Sequence, residues 1–124
     1  MQQACFLRSN VTLSVLQYLR MHTCEITQDL VWEQYPDTAA VERLVTGNAP
    51  DMIFETKPAN RLNPPLPPQT KVFINKTGSN SGFGAYALYH PAQKIGIVML
   101  ANRSYPNVER VTVAYTILQQ IVGE

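Results

Sequence analysis

No acidic residue stands between Glu55 and Glu109 in this chain of 124 residues. Other absences narrow the reading further. The only cysteines are Cys5 and Cys24, too few for a disulfide-built scaffold. His22 stands close to Cys24, but no second pair of ligands follows, and a structural zinc site takes four. No metal is therefore implied. No apolar run approaches the ~18 residues of a membrane-spanning helix, so no membrane partner is implied either. Ten Lys+Arg against nine Asp+Glu leave a net charge of +1, which excludes a generally basic nucleic-acid binder. The chain does have an apolar fraction of 45%, as a globular chain should. Its length suits one small domain.

The acid-free segment still carries Lys57, Arg61, Lys71, Lys76, Lys94 and Arg103, and Arg110 follows. Positive charge without acids points to a small anionic ligand or, more blandly, to a solvated face. Near the N-terminus, Arg8 followed by Val11 to Leu19 has the outline of an export signal. Thr, Ser and Gln dilute its apolar run, and no small-x-small cleavage site follows. Leu13, Leu16 and Leu19 instead fall at helical spacing, with Ser9 or Asn10 as cap.

Further along, residues 28–33 read as a short extended piece carrying Trp32. Pro36-Asp37 offers a helix start, with Val41, Leu44 and Val45 on one face and Gly47 as the stop. Met52-Ile53-Phe54 is a short strand candidate. Pro58, Pro64, Pro65, Pro67 and Pro68 make the stretch between them an extended surface connection, neither helix nor central strand. Lys71 to Lys76 alternates as a strand, and so does Gly82 to Tyr89, where Tyr86 and Tyr89 read as packing residues. His90 to Lys94 is a hairpin loop. Ile95 to Ala101 is continuously apolar, as a strand buried on both faces is. Pro106 or Asn107 opens a helix whose stripe is Val111, Ala114, Tyr115, Leu118, Ile121 and Val122. The sum is an α+β fold, an antiparallel β-sheet with helices packed on its faces.

Lys76-Thr77-Gly78 ends the first of the alternating strands. That tripeptide is a signature of penicillin-binding proteins and class A β-lactamases. It is followed by Ser79-Asn80-Ser81-Gly82-Phe83-Gly84, then Ile97 to Arg103, then Tyr105-Pro106-Asn107-Val108-Glu109-Arg110. The succession resembles the C-terminal part of class C serine β-lactamases. So do Thr27 to Tyr35 and Pro64-Pro65-Leu66-Pro67-Pro68. On this resemblance, residues 27–124 are the C-terminal part of a β-lactamase domain, with a partial β-lactamase/transpeptidase-like fold, and residues 1–26 do not match the family.

A β-lactam is a strained amide carrying a carboxylate. Its hydrolysis by a serine acyl-enzyme route needs an activated hydroxyl, an oxyanion hole and a cationic grip. Lys76 places a compact positive charge at a strand end, and Thr77 adds a hydroxyl donor. Gly78 lets a ligand approach the backbone. The resemblance implies that Ser79 gives an oxyanion-hole donor through its backbone N–H. Asn107 and Arg110 share a helix face and are expected to hold a substrate carboxylate, with Asn102 at the same rim. Without the resemblance, Lys76 is an edge-strand charge and Asn107 an N-cap. The resemblance implies a small-molecule β-lactam substrate, no cofactor and a periplasmic location.

Of two family motifs, Ser-x-x-Lys does not occur here, and Tyr-x-Asn occurs only as Tyr105-Pro106-Asn107, after Lys76-Thr77-Gly78 and inside the matched region. In the family both precede the region matched, so the missing N-terminal part of the same enzyme is an expected partner, and this chain alone is expected to be inactive. Strands from that part complete the family's sheet, which leaves Ile95 to Ala101 expected as an open edge. Asn80-Ser81 stands where the family has Thr-Asn, a departure that bears on substrate preference. The alternatives are a penicillin-binding protein or esterase relative of the same fold, or a noncatalytic anion-binding module.

Overall fold

The computed structural model describes residues 2–8, 19–22, 26–29, 31–56 and 58–123. In chain order they form β1 (Gln2–Arg8), β2 (Leu19–His22), β3 (Thr27–Asp29), β4 (Trp32–Pro36), α1 (Val41–Gly47), α2 (Pro50–Phe54), β5 (Asn60–Leu66), β6 (Val72–Ser79), β7 (Gly84–His90), β8 (Ile95–Ala101) and α3 (Asn107–Val122). The strands make one sheet in the order β1-β8-β7-β6-β4-β3-β2-β5. Every neighbouring pair is antiparallel. The expected α+β architecture is present.

Side chains alternate across a strand, so the pairings Tyr35↔Phe73, Glu33↔Asn75 and Thr77↔Tyr86 put these six residues on one face. The same face of β8 carries Ile97, Met99 and Ala101, paired with Leu88, Tyr86 and Gly84. Against it pack α1 and α3. Leu44, Val111, Ala114 and Leu118 are fully buried there with Tyr35, Phe73, Tyr86, Leu88 and Ile97. Burying one such aliphatic side chain contributes roughly 1.5–3 kcal/mol, so this single layer holds the sheet and the helices together. Phe73 and Tyr115 meet edge-on, with centroids 5.7 Å apart.

Several sequence expectations need correction. Met52-Ile53-Phe54 is not a strand but most of α2. Pro50 opens the helix, and Ile53 and Phe54 are 51% and 85% exposed. Three apolar residues cannot by themselves separate strand from helix, whereas proline is preorganised for a first helical turn. The preceding helix begins at Val41, because Pro36 completes β4 and the Asp37 N–H donates to the Lys71 carbonyl. The proline-rich connection is a true strand at the sheet's edge. β5 pairs β2 with a register shift between Leu19 and Met21, an edge being where a sheet tolerates proline. Of the helix expected near the N-terminus, residues 9–18 lie outside the described residues, and Leu19 begins β2. Cys24 also lies outside them.

The largest departure concerns β8. Its edge is not open: β1 pairs with it along seven residues, from Gln2↔Ala101 to Arg8↔Ile95. Nor is β8 buried on both faces, since Leu100 is 56% exposed. A continuous apolar run identifies a strand without saying which of its faces is covered.

Candidate functional site

The site grows from the end of β6. At Ile74 and Asn75 this strand lies between β4 and β7. The last β4 pair is Glu33↔Asn75, whereas β7 pairs on through Lys76↔Ala87, Thr77↔Tyr86, Gly78↔Ala85 and Ser79↔Gly84. From Lys76 to Ser79, β6 therefore has a paired strand on one side alone, among the described residues. Its other edge offers unpaired backbone donors and acceptors, which an extended ligand can meet as an added strand. Asn80 then closes the turn into β7. Its Oδ1 accepts from the N–H groups of Gly82 at 2.9 Å and Phe83 at 2.8 Å, an Asx-type turn.

Lys76 is half-exposed, and its Nζ lies 2.8 Å from Glu33 Oε1. Glu33 is 8% exposed, and its Oε2 is buried with no hydrogen-bond partner among the described residues. The ammonium is thus held from one side and keeps further donors for the open one. Thr77 is half-buried, while Gly78 and Ser79 are exposed. At Gly78 a Cβ would meet only Ala85 Cβ at 3.7 Å, an ordinary contact, and no glycine here has a positive φ. Neither backbone conformation nor packing thus requires glycine at 78.

Arg110 lies elsewhere than expected. It is 3% exposed, on the buried stripe of α3. Its Nη1 donates to the carbonyls of Gly78 at 2.8 Å and Ala85 at 2.7 Å. Its Nη2 donates to Ser79 Oγ at 2.6 Å and to Asn107 Oδ1. These acceptors are neutral, and burial lowers the guanidinium's affinity for its proton below the ordinary value. The guanidinium is therefore built under the strand end and does not stand at the rim to meet a carboxylate. Asn107, half-buried, is likewise engaged, its Nδ2 donating to the Asn48 carbonyl at 2.9 Å. The N-cap of α3 is Pro106, so capping is not the role of Asn107.

Beside the strand end lies an open groove of about 590 Å³, lined in part by Gly78, Ser79, Asn80, Phe83, Leu100 and Asn102. Gly78, Ser79 and Asn102 are thus brought together, with Arg110 beneath them. Lys76 stands two residues back along β6.

Sequence reasoning missed Glu33, Asn48, Asn75 and Gly84. Gly84 had a visible signal in Gly-Phe-Gly. A Cβ there would lie 3.1 Å from Arg110 Nη1 and 3.3 Å from the Arg103 carbonyl, so a bare backbone lets the guanidinium pass. Arg110 had one too, falling four residues before Ala114 and eight before Leu118 on one helical stripe. Tyr86 is held far above its ordinary pKa by burial first, then by Tyr35 and Glu33, and it remains a neutral phenol.

Comparison with known proteins identifies relatives of this chain. A family model described as Beta-lactamase matches residues 26–121. A β-lactamase of Psychrobacter immobilis is 46% identical over 101 residues, 82% of this chain and 25% of that protein. The crystal structure of a β-lactamase from Sulfitobacter sp. EE-36 superposes with a TM-score of 0.86 at 44% identity, covering 90% of this chain and 31% of that one. A class C β-lactamase solved in complex with cefoxitin gives a TM-score of 0.82 at 51% identity, covering 87% of this chain and 30% of that one. The chain thus spans between a quarter and a third of the length of these relatives. With the family match running through the Lys76–Ser79 edge and the α3 clamp beneath it, this chain belongs to the β-lactamase family.

Proposed function

We propose that this chain is the C-terminal part of a class C serine β-lactamase, and that its Lys76–Ser79 edge is the strand along which a β-lactam lies. The observation that supports this best is the single-sided pairing of β6 beyond Asn75. The free edge receives the substrate's amide, and the Ser79 N–H stabilises the oxyanion as the carbonyl is attacked. Lys76, held by Glu33, draws the substrate carboxylate, with Thr77 and Gly78 alongside. Asn102 borders the groove. Asn107 and Arg110 act by holding the strand end in place, which makes them positioning residues. The nucleophilic serine and its base come from the missing N-terminal part of the same enzyme, a location that carries the family's periplasmic setting with it.

Oxyanion stabilisation without a nucleophile cannot complete the reaction. The isolated chain should therefore turn over nitrocefin no faster than buffer. Adding the N-terminal part of a related class C enzyme should restore turnover, and Lys76→Ala should abolish it. Turnover by the chain alone, or complemented turnover indifferent to Lys76→Ala, would defeat the reading.

A further inference from the structure

Two ends of the Lys76–Ser79 edge are tied, by separate routes, to one residue. Asn48 follows α1 and is 2% exposed. Its backbone N–H donates to the carbonyls of Leu44 and Val45, and its Nδ2 donates to the Leu44 carbonyl at 2.9 Å. The same Nδ2 donates to Asn75 Oδ1 at 3.2 Å. Asn75 is fully buried and immediately precedes Lys76. At the other end, the Asn48 carbonyl accepts from Asn107 Nδ2, and Asn107 Oδ1 accepts from Arg110, which holds Gly78 and Ser79. The bonds close a ring: Asn48 to Asn75, along β6 to Gly78 and Ser79, then back through Arg110 and Asn107.

We propose that Asn48 is a positioning residue for the substrate-binding edge, fixing Lys76–Ser79 at both ends from the terminus of α1. The proposal rests on reading that edge as the substrate strand. Asn48, Asn75 and Arg110 in a buried layer are a poor choice for packing, and among the described residues Asn48 Oδ1, Asn75 Nδ2 and Arg110 Nε are buried with no hydrogen-bond partner. As a connected network they specify one arrangement of α1, α3 and β6. Such precision matters at an edge that receives a ligand on one side only, because a displacement of about 1 Å at a reacting centre costs about a hundredfold in rate.

The test uses the full chain and needs no turnover. Amide hydrogen exchange and the Arg110 guanidinium resonances are followed by NMR in the parent and in Asn48→Ala. The loss of the two Asn48 Nδ2 bonds should speed exchange about tenfold relative to Leu88 and Ile97 at Lys76 and Gly78, whose N–H groups face β7, and at Asn80, whose N–H donates to the Phe83 carbonyl. The Arg110 Nη signals should stay as in the parent, because the Asn48 carbonyl that holds Asn107 is backbone and survives the substitution. A uniform change at all amides, or none at these three, overturns the proposal. Should Asn48→Ala fail to fold, Asn107→Ala opens the ring at its other end by removing both the donor to the Asn48 carbonyl and the acceptor of Arg110. A rise confined to the same three amides supports the proposal, and no change there overturns it. Failure of nitrocefin complementation would remove the reaction and leave these readouts untouched.

Discussion

His90 shows how burial can outweigh a favourable charge. The residue is 6% exposed, with its ring against Phe73 at a centroid distance of 5.2 Å. Its Nδ1 accepts from the Gln93 N–H at 3.2 Å, and its Nε2 lies 3.7 Å from Asp37 Oδ2. Desolvation lowers its pKa below the ordinary 6.5, although Asp37 opposes this. The unfolded chain therefore takes up a proton at a higher pH than the folded one. Stability due to this group is complete above about pH 6.5 and is lost as pH falls through the folded pKa, at no more than about 1.4 kcal/mol per pH unit. Melting temperature should thus fall between pH 7 and pH 5.5, and His90→Gln should remove that part of the fall. An identical pH profile in the variant would show that other groups carry it.

At the scale of elements, what the sequence shows depends on how periodic each piece is. β6, β7, β8 and α3 were legible because their alternation or stripe is long enough to be unambiguous. β1 was not, because nothing in Gln2–Arg8 marks a partner far along the chain at Ile95–Ala101. The lysine-threonine-glycine edge was legible as a motif, but its backing was not. Arg110 looked like a surface cation, although it lies on the buried stripe with Ala114 and Leu118. Gly47 looked like a helix stop, and α1 does end there. Its φ is not positive, however, and the reason for glycine is contact with the neighbouring strand. A Cβ at 47 would overlap the Tyr35 hydroxyl and lie 2.7 Å from Cζ. Tyr35 is fully buried on β4 and cannot retreat. Gly47→Ala should therefore push α1 off the sheet and destabilise the chain by about 1–3 kcal/mol, measured by urea unfolding. A midpoint equal to the parent's would mean that the Tyr35 ring moves aside at little cost.

For the whole molecule, the question is what closes the sheet. The family match covers residues 26–121, yet β1, which precedes them, supplies the partner of β8. β8 is the segment most in need of one, since Ile95 to Ala101 contains neither charge nor proline and an unpaired edge of that composition templates association. The register is continuous over all seven residues of both strands, so no part of the β8 ladder is left for a second chain. β1, outside the family match, thus pairs along an edge that the resemblance left open. Removing residues 2–8 should expose that edge while leaving the α1–α3 layer and the β6–β7 hairpin intact. The truncated chain should then self-associate at micromolar concentration in sedimentation velocity, whereas the full chain should not associate through β8. The association should also weaken when Val98, half-buried at the centre of β8, is replaced by lysine, because charge on an edge opposes pairing. A truncated chain that stays monomeric and melts like the full one would show that β1 contributes nothing to closing the sheet.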